Sequence, residues 1–396
     1  MKTAFLKKLL DASARRKDAT APHVDGRFDP AALTDTIQRA LASAGRAQDA
    51  GKMQGVTDTI QRALADAGLY SGPGAAAPDR AEQKVYRTTV EVVDRAESPG
   101  ASAQPGTFVS RSFSNAAGSR TYKLYVPSGY SDSGSVSMPL VVMLHGCTQS
   151  PDDFAAGTRM NSLAERHGFL VAYPAQAANA NGSKCWNWFR AEDQQRDRGE
   201  PALIAGITRE IAANHRVDPS KIFVAGLSAG AAMAVILGET YPDLYAAVGA
   251  HSGLAYGAAH DMPSAFGAMK GQSIGGANRR TTPSAGGRRV PTIIFHGDRD
   301  QTVDIRNGAA IGEHATRVQA GEPALRADRQ RGSAAGGSQY ERTIHTDGSG
   351  RAVVEEWKLH GAGHAWSGGS PQGSYTDARG PDASAEMVRF FLSQAG

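Results

Sequence analysis

The stretch Lys221-Ile222-Phe223-Val224-Ala225-Gly226-Leu227-Ser228-Ala229-Gly230-Ala231-Ala232 decides the fold. The apolar run Ile222–Ala225 reads as a strand buried on both faces. The alanine-rich run from Ala229 reads as a helix over about 229–240. Between them lies Gly-Leu-Ser-Ala-Gly, a G-x-S-x-G pentapeptide. As a bare pattern it recurs by chance, but on a strand-to-helix turn it has a mechanical reason. The turn is tight enough to hold the serine strained, and a glycine on each side lets neighbouring backbone approach. The following helix aims its first amides at any negative charge that develops beside the serine. Ser228 is the candidate nucleophile.

Working outward, other apolar runs repeat the strand pattern: 140–144, 169–173, 246–250 and 292–295. Residues 120–126 alternate Tyr122, Leu124 and Val126 as a half-buried strand. Helices are expected over about 155–167, 203–215, 304–319 and 383–394. Strands buried on both faces and separated by helices mean a mostly parallel sheet flanked by helices.

A serine hydroxyl needs a base, and the base needs an orienting carboxylate. In the α/β-hydrolase fold the chain order is serine, acid, histidine. Strand 292–295 runs into His296-Gly297-Asp298-Arg299-Asp300-Gln301-Thr302-Val303. Asp300, one turn beyond the strand, is the preferred acid. Asp298 is its rival, with capping of the turn as its alternative role, and Asp304 reads as the N-cap of the next helix. The histidine follows an expected hairpin, 340–345 and 353–359, joined through Asp347-Gly348-Ser349-Gly350. His364 lies in a glycine-rich loop, Gly361-Ala362-Gly363-His364, able to carry an imidazole over Ser228. His360, His145, His251 and His296 sit at strand ends and read as structural. The spacing of His360 and His364 lacks an H-E-x-x-H helix or a third ligand, so neither metal nor cofactor is expected. The two oxyanion donors are expected to be the backbone amides of Ala229 and of Cys147, the latter in the loop Leu144-His145-Gly146-Cys147-Thr148-Gln149.

Three aromatics crowd Cys185-Trp186-Asn187-Trp188-Phe189 on a polar loop. Aromatics on a loop are harder to explain as core, so Trp186 and Trp188, with Trp366 beside His364, are expected to line the substrate site. Cys147 and Cys185 are the only cysteines and could form one bond. A net charge of +4 is spread without a basic run, which argues against nucleic acid. No apolar stretch nears the ~18 residues of a membrane span.

Residues 1–80 differ in character. Thr34–Gly45 returns almost unchanged as Thr57–Gly68, each copy with one apolar helical face. A short helical N-terminal segment is expected over 1–80, a linker over 81–104 and the catalytic domain over 105–396. Lys7 and Lys8 break the opening apolar run, so no secretory signal is read and a cytoplasmic location is expected.

Together, L-H-G-C-T-Q at 144–149, C-W-N-W-F at 185–189, G-L-S-A-G at 226–230, A-H-S-G-L at 250–254, H-G-D-R-D-Q-T-V at 296–303 and G-H-A-W at 363–366 resemble the polyhydroxybutyrate depolymerase esterase family. The resemblance covers about residues 105–396. It implies a triad of Ser228, Asp300 and His364, Cys147 in the oxyanion loop, and short-chain poly(3-hydroxyalkanoate) or its oligomers as substrate. Feruloyl and acetylxylan esterases are related, so a carbohydrate esterase is the alternative. Secreted depolymerases carry a signal peptide and a C-terminal substrate-binding domain. Neither is recognised here, which fits an enzyme acting on storage granules or soluble oligomers; the N-terminal helices read as a tail or linker, with granule contact as the alternative. A granule-coat protein with an inactive hydrolase domain is the reading from another class.

Overall fold

The computed structural model describes residues 106–134, 136–272, 289–317 and 324–394, all within one compact unit, Glu97–Gly396. The expected N-terminal helices, their repeat and the linker at 81–104 lie outside the described residues.

Ten strands form one sheet. In chain order they are β1 (Thr107–Asn115), β2 (Gly118–Val126), β3 (Met138–Leu144), β4 (Leu170–Pro174), β5 (Val217–Leu227), β6 (Ala247–His251), β7 (Thr292–Gly297), β8 (Arg326–Ser333), β9 (Gln339–Thr346) and β10 (Ala352–Leu359). They lie side by side as β1-β2-β4-β3-β5-β6-β7-β10-β9-β8. The six from β4 to β10 run parallel. Antiparallel pairs extend the sheet at both edges.

Successive residues of the central strands feed opposite faces, as the two-residue strand period requires. Leu140, Val142, Leu144, Ile222, Val224 and Ile294 pack into one core. Val141, Met143, Phe223, Ala225, Ile293 and Phe295 pack into the other. The first core is covered by α3 (Gly199–Asn214), α4 (Ala229–Thr240), α5 (Met262–Met269) and α6 (Arg306–Thr316). The second is covered by α1 (Pro151–Thr158), α2 (Met160–His167) and α7 (Ala383–Ser393). A small ladder of β11 (Trp366–Ser367) and β12 (Thr376–Asp377) sits in the loop before α7.

The expected helix over 155–167 is two helices. Arg159, at φ 54°, caps the first and opens the second, and nothing in its residue type announces a left-handed break. Asp304 stands one residue ahead of the N-cap of α6, which is Ile305. Its carboxylate accepts from the Arg306 amide at 3.0 Å.

Candidate active site

The carboxyl ends of the parallel strands carry the candidate site, and β5 sets its geometry. After Leu227 the chain turns through Ser228 at φ 58°, ψ −120° and enters α4. For a residue with a Cβ this costs on the order of 1–3 kcal/mol, so the surroundings must hold it. They do so from both sides. The Ser228 amide donates to the His251 carbonyl at the end of β6, 2.9 Å away, and the Ser228 carbonyl accepts from Ala232 at 3.0 Å. The two flanking glycines are there for contact. A Cβ on Gly230 would stand 2.1 Å from the Leu144 carbonyl oxygen, and one on Gly226 2.4 Å from Gly230 itself. This close packing presses the end of β3 against the turn and brings the loop 145–149 beside Ser228.

That loop leaves one amide uncommitted. The Gly146 amide donates to Gln149 Oε1 at 2.9 Å, Thr148 to the Ser183 carbonyl at 2.7 Å and Gln149 to the Gly146 carbonyl at 3.4 Å. Among the described residues, neither the Cys147 amide nor the Ala229 amide donates to a protein acceptor. Backbone N–H groups are rarely left unpaired. Two of them, one at the N-terminus of α4, are what an incoming oxyanion requires.

Asp300 and His364 are brought together. Asp300 Oδ2 lies 2.7 Å from His364 Nδ1, and Oδ1 accepts from the Thr302 and Val303 amides at 2.9 Å each. Burial raises the Asp300 pKa, but the His364 hydrogen bond and charge and the Val303 amide outweigh it, so the group is held below its ordinary value. The rival Asp298 takes a different partner: its carboxylate binds His360 Nδ1 at 2.9 Å and the Gly361 amide at 2.7 Å. The two histidines of the H-x-x-x-H spacing are thus claimed by separate aspartates. Among the described residues Ser228 Oγ has no hydrogen-bond partner, and such contacts often form only with substrate in place.

Two buried histidines stiffen the floor. His251 Nε2 accepts from the Ser367 amide at 3.0 Å, which fixes the proton on Nδ1, facing Ser252 Oγ. His145 Nε2 accepts from the Gln176 amide at 3.1 Å, leaving Nδ1–H to donate to the Gly146 carbonyl. Burial pushes His251 down to about 3, helped by His296 and His364 nearby, and pushes His145 down to about 4. Unfolded, each returns to about 6.5. Below that pH the unfolded chain takes up protons that the native state refuses, so each histidine removes up to about 1.4 kcal/mol of stability per pH unit. Asp193, raised to about 6 by burial and by Glu200, acts in the opposite direction between about pH 6 and 4 and offsets part of this. The midpoint of urea unfolding is expected to fall from pH 7 to pH 5. A flat or rising midpoint would contradict the two neutral, buried imidazoles.

The expected aromatic wall is corrected. Trp186 is 0%, Trp366 1% and Trp188 6% exposed, so they offer almost no face to a substrate. They hold the site from behind. The Trp186 indole donates to the His145 carbonyl at 3.1 Å. Trp366 stacks on His251 at 5.2 Å and donates to Ser384 Oγ. Trp188 packs edge-on against Phe189. Their loop is tied down by buried Glu200, which accepts from the Asn187 amide at 2.7 Å and its side chain at 2.8 Å. A Cys147–Cys185 disulfide joins this loop to the oxyanion loop.

A mostly parallel sheet with helices on both faces, and a serine on a strained strand-to-helix turn at its carboxyl edge, defines an α/β-hydrolase. A solved acetyl xylan esterase from Aspergillus awamori shares the fold, with a TM-score of 0.52 and 19% identity over 72% of this chain and 99% of that one. The chain belongs to the esterase PHB depolymerase family, whose model matches residues 120–334. It is 32% identical to poly(3-hydroxyalkanoate) depolymerase C of Paucimonas lemoignei, over 61% of this chain and 57% of that protein. It is 30% identical to acetylxylan esterase A of Aspergillus oryzae, over 46% and 62% respectively. The chain therefore spans about three fifths of the length of the curated relatives it matches.

Proposed function

We propose that the protein is a serine carboxylic ester hydrolase that cleaves short-chain poly(3-hydroxyalkanoate) or its oligomers. Ser228 Oγ attacks the ester carbonyl carbon while His364 Nε2 takes its proton. Asp300, on Nδ1, orients the ring and balances the charge it gains. The Cys147 and Ala229 amides receive the negative charge on the former carbonyl oxygen. As the C–O bond breaks, the proton on His364 passes to the departing alkoxide. Water then cleaves the acyl-Ser228 ester by the same steps, releasing the acid and restoring the serine. The observation that carries this reading is the 2.7 Å bond between His364 and Asp300, on a scaffold with two unpaired amides at the serine turn.

The polyester substrate is supported by the depolymerase relative. A second reading, removal of acetyl or feruloyl groups from carbohydrate, is favoured by the acetylxylan esterase relative. The deciding assay compares release of 3-hydroxybutyrate from amorphous polymer and soluble oligomers with release of ferulate from methyl ferulate and acetate from acetylated xylan. Faster turnover of the oligomers is expected. Turnover confined to the carbohydrate-type esters would replace the first reading with the second. The Cys147–Cys185 bond bears on where the reaction runs. Such bonds persist in oxidising compartments and are rare in the cytosol, which weighs against the cytoplasmic location expected from the opening residues.

A further inference from the structure

Seven non-glycine residues among those described have a positive φ. Strain of this kind persists only where the surroundings over-determine it, and it gathers at functional sites. Ser228 is one. Two others, Thr148 at φ 66° and Tyr375 at φ 53°, are 227 positions apart and meet hydroxyl to hydroxyl at 3.1 Å. Thr148 directly follows Cys147, and its hydroxyl donates to the Cys147 carbonyl at 2.6 Å. Its lone pairs therefore receive the Tyr375 hydroxyl. The Tyr375 carbonyl in turn accepts from Trp366, two residues after His364, at 2.7 Å. Tyr375 thus bridges the oxyanion loop and the histidine loop.

Its backbone is rigidly founded. The neighbouring Ser374 binds buried Gln149 through its carbonyl at 3.1 Å, and gives its amide and hydroxyl to Asp153 at 2.9 and 2.6 Å. Gly373 lies so close to Gly157 that a Cβ would stand 2.4 Å from its amide nitrogen. Yet the side chain held up by this foundation is 47% exposed, in contrast to the three buried tryptophans. A fixed, strained backbone that presents an aromatic ring to solvent between two loops of the site has no packing reason.

We propose that Tyr375, braced by Thr148, is a specificity-determining wall of the substrate site, against which the chain of an extended ester lies beyond the scissile bond. The inference rests on the hydrolase reading of Ser228 and His364. The ring supplies an apolar face with one end fixed by its hydroxyl, so contact with substrate requires little further ordering.

The test uses the full chain and three esters: 4-nitrophenyl acetate, a soluble 3-hydroxybutyrate trimer and methyl ferulate. Tyr375→Ala is expected to lower the ratio of kcat/KM for the extended ester to that for the acetate about tenfold, mainly through KM, as loss of an aromatic contact does. Tyr375→Phe keeps the ring and should retain most of the ratio. Tyr375→Gly accepts the positive φ freely and serves if the alanine variant fails to fold. An unchanged ratio, or equal losses on acetate and extended esters, would overturn the wall. Wild-type hydrolysis of ferulate without trimer would end the polyester reading alone, and Tyr375 would then be judged on ferulate. Hydrolysis of acetate alone would end both, and hydrolysis of none would end the hydrolase reading itself and the wall with it.

Discussion

Ser228→Ala is expected to lower kcat for a soluble short-chain acyl ester by about 10⁴–10⁶, and His364→Ala by a similar factor. The double variant should add little, because nucleophile and base act as a unit. Asp300→Asn should cost about 10⁴, since an amide on Nδ1 holds the wrong tautomer. Asp298→Asn provides the contrast. Its carboxylate serves His360 and the Gly361 amide, so its loss should cost less than about tenfold. All four variants keep the size of the side chain or reduce it, and thermal unfolding checks that each remains folded. If Asp298→Asn is the crippling change and Asp300→Asn the mild one, the acid has been misassigned. If Ser228→Ala retains more than a hundredth of the activity, ester cleavage does not proceed through Ser228.

Reduction of the Cys147–Cys185 bond is the second large effect expected. A bridge across 38 residues restricts the unfolded chain by roughly 3–4 kcal/mol on the loop-entropy account. Opening it with dithiothreitol should lower the unfolding temperature by about 10 °C. Activity should suffer as well, because the residue released carries one of the two amides proposed to hold the oxyanion. Removing one such donor outright costs about 10²–10³ in kcat. Here the loop keeps its Thr148–Ser183 backbone bond, so a kcat loss of about 10- to 100-fold is expected, with a smaller change in KM. The double variant Cys147→Ser, Cys185→Ser should behave like the reduced enzyme. A reduced protein with full kcat would show that the loop holds its amide in place without the bond.

The sequence made β5, Ser228 and α4 readable because three signals coincide there: an apolar run, a glycine-flanked serine and a helix-forming stretch. Asp300 could be preferred over Asp298 on reach alone, and the structure gives each aspartate its own histidine. Other features had no signal to read. Residues 326–333, Arg-Ala-Asp-Arg-Gln-Arg-Gly-Ser, form an exposed edge strand whose order comes from pairing with β9, so no hydrophobic alternation marks it. The tryptophans of 185–189 lie in a loop without a period, and a loop's inner and outer faces cannot be separated by spacing. Trp186 is turned inward, where its indole donates to the His145 carbonyl. Tyr375 lies in a polar stretch far along the chain from Cys147, and only the fold sets its hydroxyl on Thr148.

The loops of the site are stitched to one another across great lengths of chain. Gln149 and Ser374 meet across 225 positions, and Thr148 and Tyr375 across 227. Contacts of such long range form late and slow folding, because loop-closure entropy must be overcome before they contribute. The oxyanion loop is synthesised early, yet it gains its Ser374 and Tyr375 partners only after the central sheet and the β9–β10 hairpin exist. A state with most of its strands paired but these contacts unmade would therefore hold the loop 145–149 without its braces. Full activity toward an extended ester should therefore return on refolding later than native-like secondary structure.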